Sequence, residues 1–188
     1  MEFLEPDAAA VDALVAELSS KNIGIVAHFY MDPQVQGVLM AAKAKYPHVF
    51  ISDSLVMADA AVKMVEAGCT SVMVLGVDFM SENVRAILDD AGHGDAKVYR
   101  MAAEDIGCSL AEAAQGDAYY NYLEQAQGVT DAVHIIYINT ALDTKARANA
   151  LVPTITCTSS NVVQTVLQAA YQVPTTRETR ETRETLNA

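Results

Sequence analysis

Cys108 lies in Ile106-Gly107-Cys108-Ser109-Leu110-Ala111-Glu112, a lone cysteine in a Gly-Cys-Ser turn at the mouth of a short helical pattern. Such a position is poor for core packing. It suits chemistry, because backbone N–H groups and the positive end of a helix stabilise a thiolate, while spacing alone leaves an inert thiol equally open. A thiolate is the ligand that a soft metal centre prefers. A second pattern sets polar residues just beyond apolar runs: His28, Tyr30, Ser54, Asp78, Tyr137, Asn139, Ser159 and Asn161. Hydroxyls, an amide and an imidazole in front of helix N-termini suit small carboxylates and phosphates. Each residue also has an ordinary explanation as a loop polar group, and Ser54 and Ser159 could simply be N-caps.

The elements that must position these groups follow from periodicity. Residues 8–19 read as an amphipathic helix with Val11, Leu14, Val15 and Leu18 on one face. The apolar run Ile23–Ala27 ends at His28, and a helix follows from Pro33, suited to a first turn, to Lys45. A strand over Val49–Ile51 ends at Ser52-Asp53-Ser54, and a helix over Leu55–Glu66 stops at Gly68. The strand Ser71–Leu75 ends at Gly76-Val77-Asp78; Ser81 is expected to cap a helix through Leu88; Lys97–Tyr99 form a fourth strand. Buried, non-alternating strands separated by helices indicate a parallel sheet covered on both faces, an α/β fold of three layers.

After Cys108 the pattern begins again. Two short helices cover 109–127, strands are expected at Val133–Ile138 and 154–157, and helices at 140–149 and 161–171. His28 and Ser54 are 26 residues apart, Tyr137 and Ser159 are 22 apart, and both pairs end successive strands. The halves read as one α/β unit repeated, with the second copy stopping after two strands. In open parallel sheets, ligands bind outside the carboxyl ends of the strands, where all of these polar residues fall.

Composition narrows the alternatives. The 188 residues suffice for one ordinary domain or two small ones, and 52% are hydrophobic, enough for a core. The formal charge of −12 repels nucleic acid and anionic membranes, so neither is expected as a partner. The start, MEFLEPDAAA, lacks the basic, apolar pattern of a signal peptide and the Arg/Ser richness of a transit peptide, which a truncated start could hide, and no apolar run reaches the length of a membrane span. Cys69, Cys108 and Cys157 are widely spaced and form no CxxC pair. Cys69 and Cys157 read as structural thiols. No GxxxxGK[ST], GxGxxG or GxSxG motif is present.

Six motifs occur in order: Ala27-His28-Phe29-Tyr30-Met31-Asp32-Pro33, Ser52-Asp53-Ser54-Leu55, Gly76-Val77-Asp78-Phe79-Met80, Gly107-Cys108-Ser109-Leu110, Tyr137-Ile138-Asn139-Thr140 and Cys157-Thr158-Ser159-Ser160-Asn161. Over residues 20–172 they resemble the amino-terminal half of the quinolinate synthases, the NadA family, in its plant-type branch. The resemblance implies three similar α/β domains around a pseudo-threefold axis. It implies a 4Fe-4S cluster on that axis, held by one cysteine from each of three places, with an open iron acting as Lewis acid. The implied reaction condenses iminoaspartate with dihydroxyacetone phosphate to quinolinate for NAD biosynthesis. By motif position Cys108 would be one cluster ligand. His28, Ser54, Tyr137, Asn139 and Ser159 would hold substrate carboxylates or phosphate, and Tyr30 with His28 would be candidate acid–base groups.

The chain departs from that pattern after residue 172. Thr-Arg-Glu triplets replace the remainder, and neither Cys69 nor Cys157 stands at a missing ligand position. The expected organisation is an N-terminal helix over 1–19, a first α/β domain over 20–107, a truncated second domain over 108–172 and a disordered or non-native tail over 173–188. The expected compartment is the cytoplasm, or the plastid stroma for a plant or alga. Two other classes remain open: a non-catalytic α/β module that binds a small dicarboxylate or phosphate, and a piece that docks on a full-length homologue. The unfinished second unit is expected to expose a strand edge and the apolar residues Val162, Val163, Val166 and Leu167, and so to self-associate.

Overall fold

Asp7 accepts the N–H of Ala9 at 3.0 Å and starts α1 (Ala8–Ser20), whose Val11 and Leu18 are buried. The computed structural model describes residues 5–102, 104 and 106–172; the expected tail over 173–188 lies outside the described residues. Strand β1 (Ile23–His28) follows and is almost wholly buried. Asp32 then caps α2 (Pro33–Lys43) by accepting the N–H of Gln34 at 2.7 Å, with Pro33 pre-set for the first turn. The remaining elements of the first unit are β2 (Val49–Ser52), α3 (Met57–Glu66), β3 (Ser71–Leu75), α4 (Asp78–Asp90) and β4 (Lys97–Arg100). Both α3 and α4 end on a glycine with positive φ, Gly68 at 106° and Gly92 at 84°. Cys69 N–H closes onto Met64 O and His93 N–H onto Leu88 O, the bonds of a Schellman stop.

The four strands form one parallel sheet in the order β2-β1-β3-β4. Ile25 and Ala27 of β1 and Val49 of β2 pack with Val11 and Leu18 of α1 and Leu39 and Ala42 of α2. Gly24 turns to the opposite face, where the Met64 sulfur of α3 would lie 2.6 Å from a Cβ at that position. Helices therefore cover both faces, as expected for three layers. The chain runs from β1 outward to β2 and then returns past β1 to β3. The strand order thus reverses between β1 and β3, the place where such sheets open a ligand crevice.

The second unit, Ser109–Ala188 as against Met1–Cys108, holds α5 (Ser109–Ala113), α6 (Asp117–Gln127), β5 (His134–Tyr137), α7 (Leu142–Leu151), β6 (Thr154–Cys157) and α8 (Val162–Gln172). Tyr120, Leu123, Ile136 and Ala148 form its core, with Arg147 stacked 3.8 Å above the Tyr120 ring. Its sheet has two parallel strands. Register ties the units together as repeats. His28 pairs with Ser52 as Tyr137 pairs with Cys157. Ile25 N–H bonds His48 O and Phe29 N–H bonds Ser52 O; His134 N–H bonds Pro153 O and Ile138 N–H bonds Cys157 O at the matching places. Beyond β1 the first unit has β3, whereas β5 has no second strand neighbour among the described residues.

Two expectations need correction. Helix α4 begins at Asp78, not after a Ser81 cap; the Ser81 hydroxyl instead bonds Asp78 O at 2.8 Å within the first turn. An anion in the first turn suits the positive end of the helix, and Asp78 also pairs there with Arg100 from β4. Ser54 and Ser159 are not the caps either. Asp53 Oδ1 accepts the N–H groups of Leu55 and Val56, and Asn161 Oδ1 accepts that of Thr158.

Candidate functional site

Within the first unit the carboxyl edge of the sheet gathers His28, Tyr30, Asp53, Ser54, Asp78 and Arg100. His28 ends β1 half-buried and its Nδ1 accepts the Tyr30 N–H at 3.3 Å. That bond places the protonable hydrogen of neutral His28 on Nε2. Burial pushes the imidazole below its ordinary pKa, while the nearby Asp53 charge opposes the shift. His28 is therefore a mostly neutral group near pH 7. The Tyr30 ring stands edge-on to it at 4.7 Å, and Tyr30 is 87% exposed, so its phenol is presented to solvent rather than packed. Ser54 is buried. Arg100 and Asp78 pair where each is about seven-tenths buried. The Asp78 N–H donates to Ile106 O at 3.1 Å, which ties the segment leading to Cys108 onto the start of α4.

Cys108 is half-buried, whereas Cys69 and Cys157 are buried. Burial raises the pKa of both buried thiols, and at Cys69 a hydrogen bond from Tyr46 opposes it weakly. Cys69 lies before β3, at the opposite edge of the sheet from His28. Burial thus disfavours the reactive thiolate at both residues.

In the second unit Tyr137 ends β5 and Asn139 sits in the turn to α7. Both border a groove of about 350 Å³ that continues along β5 past His134, Ile135 and Ile136 to Tyr119. Four consecutive strand residues on one wall mark this groove as the open edge of β5, the edge that β3 fills in the first unit. Thr154 donates its hydroxyl to Val152 O, so its oxygen accepts from His134 Nδ1–H at 3.1 Å, and His134 Nε2 accepts from the Tyr119 hydroxyl at 3.0 Å. Burial lowers the His134 pKa. Ser159 follows β6 and is exposed, two positions beyond Cys157 as Ser54 is two beyond Ser52. Ser159 does not border the groove.

The structure thus brings His28, Tyr30 and Ser54 to one sheet edge, and Tyr137 and Asn139 to one turn. Sequence reasoning assigned no role to Asp53, inside a quoted motif, or to Arg100, the residue after the strand expected at Lys97–Tyr99. It also missed Gln36 and Lys145, one turn into the helices after β1 and β5. Aligning the two halves on His28 and Tyr137 would have paired Gln36 with Lys145.

A family model described as NadA, quinolinate synthetase A protein, matches residues 11–175. The chain belongs to the NadA family. It is 62% identical over 172 residues to quinolinate synthase, chloroplastic, of Oryza sativa subsp. japonica, covering 92% of this chain and 24% of that protein. It is 63% identical over 173 residues to quinolinate synthase, chloroplastic, of Arabidopsis thaliana, with the same shares covered. With the quinolinate synthase of Prosthecochloris aestuarii it shares 32% identity over 149 residues, 79% of this chain and 38% of the relative. The chain spans about a quarter of the length of the plant relatives it matches. The much higher identity to plant NadA proteins agrees with the plant-type form of the Ala27–Pro33 motif. No helix among the described residues is long and apolar enough to cross a membrane.

Proposed function

We propose that this chain supplies part of the active site of a quinolinate synthase, the enzyme that condenses iminoaspartate with dihydroxyacetone phosphate to quinolinate, releasing phosphate and water, in NAD biosynthesis. One observation supports this reading above the others. The residues that the resemblance nominates fall at equivalent carboxyl ends of two repeated parallel units, His28 with Tyr137 and Ser54 with Ser159. Their donors suit anions: the His28 Nε2–H, the serine hydroxyls and the Asn139 amide can hold carboxylate or phosphate oxygens. Tyr30, exposed beside a neutral His28, is the group on which a proton would be held or released near the reacting carbons.

A 4Fe-4S cluster, when bound, supplies a Lewis-acidic iron for a substrate hydroxyl. Cys108 would hold it, since it is half-buried and sits at the start of α5, while burial keeps Cys69 and Cys157 protonated. Among the described residues no group of three His, Cys, Asp or Glu side chains could hold a metal ion. One thiol fits one ligand position. A second reading is a module that holds a dicarboxylate or phosphate without turnover, since the same donors that suit substrate anions would serve it. The plastid stroma is the compartment we assign, by the chloroplastic naming of the plant relatives.

Iron analysis after anaerobic reconstitution separates the readings. A chain that takes up four irons per molecule and forms quinolinate is the enzyme outright. A chain that binds quinolinate or phosphate without stoichiometric iron is the module. Binding neither ligand would overturn both.

A further inference from the structure

The turn after β1 and the turn after β5 are held by the same device built from different residues. Gln36, in the first turns of α2, donates its Nε2 to Phe29 O at 2.5 Å and to Met31 O at 2.8 Å. Lys145, in the first turns of α7, donates its Nζ to Ile138 O at 2.9 Å and to Thr140 O at 2.5 Å. Set His28 against Tyr137, as the strand register requires, and each partner matches: Phe29 with Ile138, Met31 with Thr140, Gln36 with Lys145. The residue between the two held carbonyls is Tyr30 in one unit and Asn139 in the other. Both acceptors at Gln36 are carbonyls, so its amide must be oriented with nitrogen toward them.

We infer that Gln36 and Lys145 are equivalent positioning residues, each drawing two backbone carbonyls onto its own helix so that the residue between them, Tyr30 or Asn139, is presented at the sheet's carboxyl edge. The physical reason is twofold. A turn pinned on both sides of one residue leaves that residue little backbone freedom, which is what a substrate-holding group needs. Each side chain also occupies two carbonyl oxygens that would otherwise face the edge without that donor. In the second unit Thr140 completes the arrangement, its hydroxyl donating to Tyr137 O at 3.0 Å and its N–H to Ile138 O at 2.8 Å. In the first unit Met31 N–H bonds His28 O at 3.3 Å. The consequence for catalysis rests on the quinolinate synthase reading; the device itself rests only on the repeat.

The test is amide hydrogen exchange and side-chain amide NMR on the full 188-residue chain. Gln36→Met and Lys145→Met keep the length and remove the donors. Each is expected to speed exchange of its own turn amides, Met31 or Thr140, at least about tenfold, the weight of ~1.4 kcal/mol, and to leave the turn of the other unit unchanged. Lys145→Met is also expected to shift the Asn139 side-chain amide signals. Lys145→Gln and Gln36→Lys exchange the two donors and should retain protection. Unchanged turn exchange in both Met variants overturns the inference, as does a swap that loosens the turn as much as methionine does. Quinolinate is then titrated into the same proteins, and the Met variants should bind it at least tenfold more weakly. A wild-type chain that ignores quinolinate while the exchange pattern holds removes the functional reading and leaves the positioning device standing.

Discussion

At the scale of single residues, the two histidines set a pH dependence whose sign is fixed by burial. His28 and His134 both titrate below the ordinary value because burial disfavours the imidazolium. The unfolded chain, titrating near ~6.5, then binds more protons than the folded one in acid. The stability contributed by each neutral imidazole is fully present above that value and is lost as pH falls through the lower folded one. We expect the urea midpoint to drop between about pH 7 and pH 5, and His134→Gln to flatten part of that slope. A wild-type and a His134→Gln profile that run parallel would count against the neutral His134 bridge between Tyr119 and Thr154. The thiols make a second case. Iodoacetamide should modify Cys108 well ahead of Cys69 and Cys157, because two of the three are buried and protonated. Mass spectrometry reads the order, and faster labelling of Cys69 would reverse the assignment. Ser54→Ala should weaken quinolinate binding roughly tenfold to a hundredfold, since a hydrogen bond to a charged group contributes ~1.5–3 kcal/mol. Its melting temperature should hold, because Asp53 rather than Ser54 caps the following segment. A large loss of stability at unchanged affinity would mean that Ser54 serves packing alone.

At the scale of elements, close approach and charge placement decide the geometry of the first sheet. Gly24 lets α3 seat its Met64 against the middle of β1. Gly24→Val should cost about 1–3 kcal/mol by overpacking, measured by chemical denaturation; a neutral result would show that the Met64 side chain swings aside freely. The Arg100–Asp78 pair joins β4 to the start of α4, and Asp78 in turn bonds the backbone of Ile106. Arg100→Met should therefore do two things. It should lower stability by about 1.5–3 kcal/mol, the scale of a charge-assisted hydrogen bond, and it should change the alkylation rate of Cys108, two residues beyond Ile106. A stability loss with an unaltered Cys108 rate would confine the pair to a role within the sheet.

At the scale of the whole molecule, the two units differ in how much of their sheet is made. The first has four paired strands with helices on both faces. Among the described residues the second has two strands of four residues each, with no strand paired to the outer edge of β5. Helix α8 has no charged residue, and Val162, Val163, Val166, Leu167 and Tyr171 are exposed along it. A net charge of −12 opposes association of copies, and an uncharged apolar face is where the attraction of apolar burial can offset it. The 188 residues should self-associate in a concentration-dependent way by analytical ultracentrifugation, and Val163→Glu with Leu167→Glu should suppress it. A monomer at high concentration for the unmutated chain would contradict that. Native-state exchange should show the strands of residues 23–100 protected more strongly than those of 134–157. The reverse order would mean that the open edge costs the second unit nothing.

The sequence by itself determined the order and kind of elements, because hydrophobic runs, glycine stops and the Asp32-Pro33 start are local signals. It also placed the polar residues at strand ends and exposed the repeat, since both depend only on position along the chain. The helix bounds moved by a few residues where a side chain from elsewhere intervened. Asp78 opens α4 and pairs with Arg100, 22 residues on, and no local pattern reports that partner. Tertiary structure alone decided which strands are neighbours, and therefore that the sheet reverses beside His28. It supplied the burial that sets Cys108 apart from the two thiols the sequence had read as structural. It alone revealed Gln36 and Lys145, whose types share no motif. A glutamine amide and a lysine ammonium do the same work only because the fold brings each within reach of two carbonyls, and reach is a property of three dimensions.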